Sequence, residues 1–197
     1  MYFKKIIGKR LYLSPIDIND ALEYTKWLND MDVTMGLTLS TSLINEETER
    51  NILERLSKEP FNFAVVSNIN NNVIGNTGFT KIDYINRFAE VGIFIGDKFY
   101  WHNGYGMEAL ELILDFGFNI LNLNNIHLSV FSYNTSAIRC YKKIGFKEAG
   151  RIREARIVGN QKFDIIYMDL LASEFKSPYI LSVLDRKRGN YNGTNKI

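Results

Sequence analysis

Cysteine occurs once in this chain, at Cys140, and histidine only twice, at His102 and His127. One thiol cannot form an intrachain disulfide or a Cys-rich zinc site, and two distant imidazoles leave little for a His-based one. The chain therefore reads as metal-free and intracellular. An excess of one charge is also lacking: 24 Lys and Arg against 22 Asp and Glu leave +2, so no domain-wide basic field exists to attract nucleic acid. Long apolar runs are missing as well. Nothing approaches the ~20 residues of a membrane span, and Lys4 and Lys5 interrupt the N-terminus before a signal-type run can develop. With nucleic acid and membrane excluded as first partners, the expectation is a soluble, cytoplasmic protein. What remains is 197 residues, 46% of them hydrophobic, enough for one sizeable core.

Leu11 and Leu13 alternate with Tyr12 and Ser14 before Pro15, which predicts a short strand. A helix is expected from about Asn19 to Leu28, capped by Asp17 or Asn19, and a second from Asn45 and Glu46 to about Lys58. Between them, Asn29 to Leu43 has no period and reads as a candidate binding loop. Phe63 to Ser67, Val73 to Asp83 and Glu90 to Ile95 read as an antiparallel meander turning at Asn70 to Asn72 and near Asn86, its last strand buried and central. The strongest helix runs from Gly104 to about Leu121, with Leu110, Leu114, Phe118 and Leu121 on one stripe. Ile126 to Phe131 is a strand, Thr135 to Ile144 a helix ended by Gly145, and Phe146 to Arg153 with Phe163 to Leu170 a closing pair around Gly159. About seven strands and four helices in this order make an α/β (α+β) fold, a mixed sheet with helices on its faces. One domain is expected over 1–176. Residues 177–197, with Arg186, Lys187 and Arg188, read as a polar, basic, frayed tail.

The strongest local signal is Gly104, Tyr105, Gly106 at the start of the long helix, where free amides and the helix dipole favour a phosphate. The bland alternative is glycine easing the packing of a helix start. No Gly-Lys-Ser or Gly-Lys-Thr follows, so a nucleotide-hydrolysing P-loop is excluded. With Ala109 the stretch also matches a dinucleotide fingerprint, but the glycines follow the strand by about eight residues and the next strand ends with no acid for a ribose. The second helix of this half places Asn134, Ala137, Ile138 and Tyr141 at offsets of three, four and seven, so a polar cap and a phenol flank one groove. Core packing is the alternative for Tyr141. Cys140 adjoins it but is expected to point elsewhere on the helix. His102 reads as an incidental loop residue and His127 as an ordinary strand position.

Together the central strand, the run from Trp101 through Ala109, and Asn134, Ala137, Tyr141, Gly145 and Phe146 resemble the GNAT superfamily of acetyl-CoA-dependent N-acetyltransferases. The nearest branch is the one holding ribosomal-protein N-terminal and polyamine acetyltransferases. The likeness spans about residues 8–172 and departs from the family pattern at Trp101, where a polar residue is usual. It implies a mostly antiparallel sheet with two strands splayed apart, and acetyl-CoA as cosubstrate without metal. It further implies that the backbone of Ile93, Phe94 and Ile95 holds the pantetheine arm, and that amides from Trp101, His102, Asn103, Gly104, Tyr105 and Gly106 bind the pyrophosphate. Asn134 and Ala137 would lie along the cofactor, with Tyr141 near the sulfur as general acid. Glu90 is the family-supported base; an exposed strand-edge charge is the alternative. Asp83 and Tyr84 are expected near the acceptor, with turn capping the alternative for Asp83. The implied reaction is acetyl transfer by direct attack of a primary amine, whether a protein N-terminus, a polyamine or another small amine. The rival reading is a CoA-binding or regulatory module without turnover, for which Trp101 is the hint. Monomer and homodimer both remain open.

Overall fold

The computed structural model describes residues 1–38, 40–177 and 179–192. Eight strands form one sheet in the order β1-β2-β3-β4-β5-β6-β8-β7. They are β1 (Ile6–Ile7), β2 (Leu11–Pro15), β3 (Asn62–Ser67), β4 (Val73–Asp83), β5 (Phe88–Ile95), β6 (Asn125–Phe131), β7 (Lys147–Val158) and β8 (Gln161–Leu171). Every pairing is antiparallel except β5 with β6. Six helices accompany the sheet: α1 (Ala21–Leu28), α2 (Met31–Thr34), α3 (Glu46–Lys58), α4 (Tyr105–Asn119), α5 (Thr135–Ile144) and α6 (Ile180–Asn192).

Period-2 alternation divides the strands between two cores. Leu11, Leu13, Val65 and Val91 face α4, whose Leu110, Leu112, Ile113 and Leu114 are fully buried. Tyr12, Ala64, Val66 and Val73 face the other way, onto Tyr24 and Trp27 of α1 and Leu53 of α3. Truncating one of the fully buried leucines of α4 to alanine should cost about 2–5 kcal/mol, because the enclosing sheet cannot collapse into the void. Among the described residues no helix is long and apolar enough to cross a membrane.

Three elements exceed the sequence expectation of seven strands and four helices. β1 is a two-residue edge strand on β2. α2 is a single turn inside the stretch that showed no period, capped by Asp30, which accepts from Asp32 N. The tail expected to fray forms α6. Its start is held by the fully buried Asp115 of α4, whose carboxylate accepts from Tyr179 N (2.8 Å), Ile180 N (2.9 Å) and Ser177 Oγ (2.6 Å). A carboxylate on one helix thus caps another, together with the local Ser177 Oγ, which accepts from Leu181 N at 3.2 Å. The end of that tail, 193–197, lies outside the described residues.

The one parallel junction is short. β5 and β6 pair only at Phe88–Asn125, Ala89–Ile126 and Glu90–His127, yet β5 continues to Ile95 and β6 to Phe131. Beyond Glu90 the two strands part, and the sheet carries a wedge-shaped opening at its centre.

Candidate active site

The opening forms a cleft of about 690 Å³. One wall is the unpaired edge of β5. Gly96 N donates to Ile74 O at 2.9 Å, which sets the alternation along the antiparallel β4–β5 pair: Phe94 bonds across to Asn76, whereas Ile93 and Ile95 aim their amides and carbonyls at the open edge. Of the three residues expected to hold a donor arm, Phe94 therefore offers its ring and not its backbone. The Ile95 carbonyl is also engaged, accepting from Trp101 Nε1 at 2.8 Å. Through that bond the Trp101 indole ties the following loop to the end of β5.

The floor is that loop and the start of α4. His102 and Gly104 both adopt positive φ, 57° and 80°, folding the chain back sharply before the helix. The first bond into α4 runs from Glu108 N to Gly104 O (3.1 Å), so the amides of Tyr105, Gly106 and Met107 have no carbonyl partner within the helix. Trp101, His102, Gly104 and Gly106 line the cleft, as does Met107. Asn103 and Tyr105 do not: the Asn103 carbonyl turns toward Arg10, and the Tyr105 ring packs edge-on against Tyr100 in the core. Their backbone remains part of the turn.

The facing wall is α5, and Asn134, Ala137 and Tyr141 all line it. The Asn134 side-chain carbonyl caps the helix, accepting from Ala137 N at 3.1 Å, which leaves its Nδ2 as the free donor. Burial, with a smaller contribution from Cys140, pushes the Tyr141 phenol up to about 12. Cys140 lines the cleft too, contrary to its expected direction. Successive helical residues are about 100° apart, and this wall is broad enough to receive both. Burial, with Glu111 nearby, pushes the Cys140 thiol up to about 11, so it stays protonated and is no nucleophile. Ile138, grouped with these residues by spacing, packs into the core instead.

Over the cleft lies the loop following α2. Tyr133 donates its hydroxyl to Met35 O at 2.6 Å, and a Cβ at Gly36 would come within 3.1 Å of Asn134 Nδ2, so the loop passes close to the start of α5. Asp32, Val33, Met35, Gly36 and Leu37 line the cleft. The missing periodicity of Asn29–Leu43 pointed to this stretch without naming its residues. Arg139 and Lys143 of α5, also in the lining, went unnoticed because they sit on the flank of the face defined by Asn134 and Tyr141.

The remaining candidates lie apart. Glu90 sits at the fork where β5 and β6 separate, outside the lining, with its carboxylate 3.1 Å from Lys81 Nζ. It shares a strand face with Gly92 and Phe94. A Cβ at Gly92 would meet only Thr80 Cγ2 at 4.0 Å, so this face of the strand is uncrowded between Glu90 and Phe94. Asp83 and Tyr84 belong to the β4–β5 hairpin tip, which the structure does not bring to the cleft. The Asp83 carboxylate accepts from Ile85 N and Asn86 N, both at 2.9 Å, and is held below the usual carboxylate range by those bonds. His127 lies across the fork, its Nδ1 2.9 Å from Ala89 O and its ring stacked on Phe88.

Residues 10–147 match the family described as the acetyltransferase (GNAT) domain. The uncharacterized N-acetyltransferase p20 of Bacillus licheniformis is 29% identical over 171 residues, covering 85% of this chain and 96% of that protein. A spermidine N(1)-acetyltransferase of Vibrio cholerae is 32% identical over 111 residues, covering 56% of this chain and 64% of the relative. Among solved structures, a GNAT-family acetyltransferase from Bacillus anthracis aligns with a TM-score of 0.75 at 25% identity, over 88% of this chain and all of the other. The Vibrio cholerae spermidine N-acetyltransferase in complex with CoA and spermine shares the fold, with a TM-score of 0.74 at 24% identity over 85% of this chain and 98% of its own.

Proposed function

We propose that this chain, which belongs to the GNAT acetyltransferase family, transfers the acetyl group of acetyl-CoA to a primary amine within the cleft between β5 and β6. One observation supports the reading: the edge of β5 left unpaired beyond Glu90, Gly106 and Met107 in the first turn of α4, and Tyr141 of α5 line one cleft. The cleft suits each part of the donor. Ile93 can pair with a pantetheine amide as a further strand would, and the α4 amides with the helix dipole suit a diphosphate.

Acetyl-CoA supplies an activated acyl group on a thiolate leaving group. In the transfer a nitrogen–carbon bond forms, the carbon–sulfur bond breaks, the amine loses a proton and the sulfur gains one. Tyr141 gives the sulfur its proton. Burial raises the Tyr141 phenol to about 12, so it is protonated at neutral pH and able to donate to the departing sulfur. Glu90 takes the amine proton through water along the open face at Gly92. Its contribution depends on the acceptor, since an amine of pKa about 10.4 is almost wholly protonated at neutral pH, whereas an α-amine near 8 is neutral roughly one time in ten.

The acceptor is a small-molecule or peptide amine. The relatives named for spermidine support a polyamine, and α2 with the loop after it, which line the cleft from Asp32 to Leu37, would select it. Thiol release from acetyl-CoA, measured across spermidine, a peptide with a free N-terminus and an amino sugar, tests the reading. Amine-dependent release matched by acetylated product is expected. CoA binding without such release would mean a binding module that lacks turnover.

A further inference from the structure

Glu108, in the first turn of α4, is 5% exposed and faces away from the cleft, toward the turn between β1 and β2. Its Oε1 accepts from Lys9 N (2.7 Å) and Arg10 N (2.8 Å), and its Oε2 from Arg10 Nε (2.8 Å). The turn wraps the carboxylate so closely that a Cβ at Gly8 would lie 2.6 Å from Oε1. Held in this way, the Arg10 guanidinium stacks 4.6 Å from the centre of the Tyr105 ring, and its Nη1 donates to Asn103 O at 2.6 Å. Its Nη2 lies 3.3 Å from where a Cβ on Gly104 would stand.

We propose that Arg10 is a positioning residue for the phosphate cradle, fixing the Asn103–Gly104 peptide so that its N–H faces the cleft. The peptide is trans, so its carbonyl and N–H point in opposite directions. Drawing Asn103 O toward Arg10 turns Gly104 N–H to the other side, where Gly104 and Gly106 line the cleft and Asn103, Tyr105 and Arg10 do not. The hold is needed because Gly104, at a φ of 80°, is the residue with the freest backbone in the turn. The ion pair with Glu108 cancels the guanidinium charge locally, so Arg10 acts through the direction of its planar fork and not through net attraction. The inference rests on the reading of this turn as the site of the CoA diphosphate.

The test compares CoA with pantetheine, which carries the same thiol arm and no phosphate, on the parent protein, Arg10→Met and Arg10→Lys. Arg10 is 42% exposed in its side chain, and thermal melts establish that each variant is folded; if Arg10→Met does not fold, Arg10→Lys carries the test. Both variants should bind CoA about tenfold more weakly by calorimetry, equivalent to ~1.4 kcal/mol, with pantetheine affinity unchanged. Retained CoA affinity in the folded variants, an equal loss for pantetheine, or full restoration by lysine would each overturn the proposal. A parent that binds CoA no better than pantetheine would instead overturn the cradle reading itself, and this inference with it.

Discussion

At the scale of single residues, the proposed chemistry rests on Tyr141, whose pKa is raised by burial. Tyr141→Phe keeps the ring contact with Phe146, at 6.0 Å between centroids, and removes only the hydroxyl, so stability and CoA affinity should hardly change. Turnover should fall by about 10²-fold, within the usual range for a positioned proton donor. Because the phenol is raised to about 12, its acid form persists past pH 10, and the parent's rate should show no alkaline decline from this group below that pH. Single-turnover kinetics with the Phe variant check the first expectation; parent-like turnover would make Tyr141 a core aromatic and nothing more. Gly104 and Gly106 were legible in the sequence because glycine spacing at a helix start reports backbone freedom directly. The engagement of Ile95 O by Trp101 was not, since it depends on where a side chain six residues on folds back.

At the scale of elements, helices with a strong local signal were read to within a residue or two: α5 runs from Thr135 to Ile144 as its cap and Gly145 indicate, and α3 follows its Asn45 cap. α6 was missed because Asp115, which accepts from two amides at its start beside the local cap Ser177, lies more than sixty residues away in sequence. α3 also carries a liability that periodicity conceals. Glu49 is 1% exposed, its Oε2 has no hydrogen-bond partner among the described residues, and burial raises its carboxyl to about 7. A carboxyl that holds its proton more tightly when folded stabilises fully below its unfolded pKa, near 4.5, and that contribution is lost as pH rises through about 7. Glu49→Gln should therefore change the melting temperature little near pH 5 and raise it by about 5 °C at pH 8, corresponding to roughly 1–2 kcal/mol. A variant less stable than the parent at pH 8 would show that the carboxylate has a charged partner in solution.

At the scale of the whole molecule, the proposed function depends on the early end of the β5–β6 pairing. The antiparallel meander and the mixed sheet were legible from alternation and turn residues, whereas the fork was expected only from the family resemblance. Nothing in Val91 to Ile95 or Leu128 to Phe131 says that two parallel neighbours separate after Glu90 and His127. The fork turns a continuous sheet into a site by exposing one edge of β5 beside the amides of α4. Hydrogen exchange on the full chain, with and without acetyl-CoA, tests this claim most directly. Slowed exchange is expected at Ile93, Ile95 and the amides from His102 to Met107, with little change in β1 to β3. Unchanged exchange at those amides under saturating acetyl-CoA, or protection centred elsewhere, would contradict it.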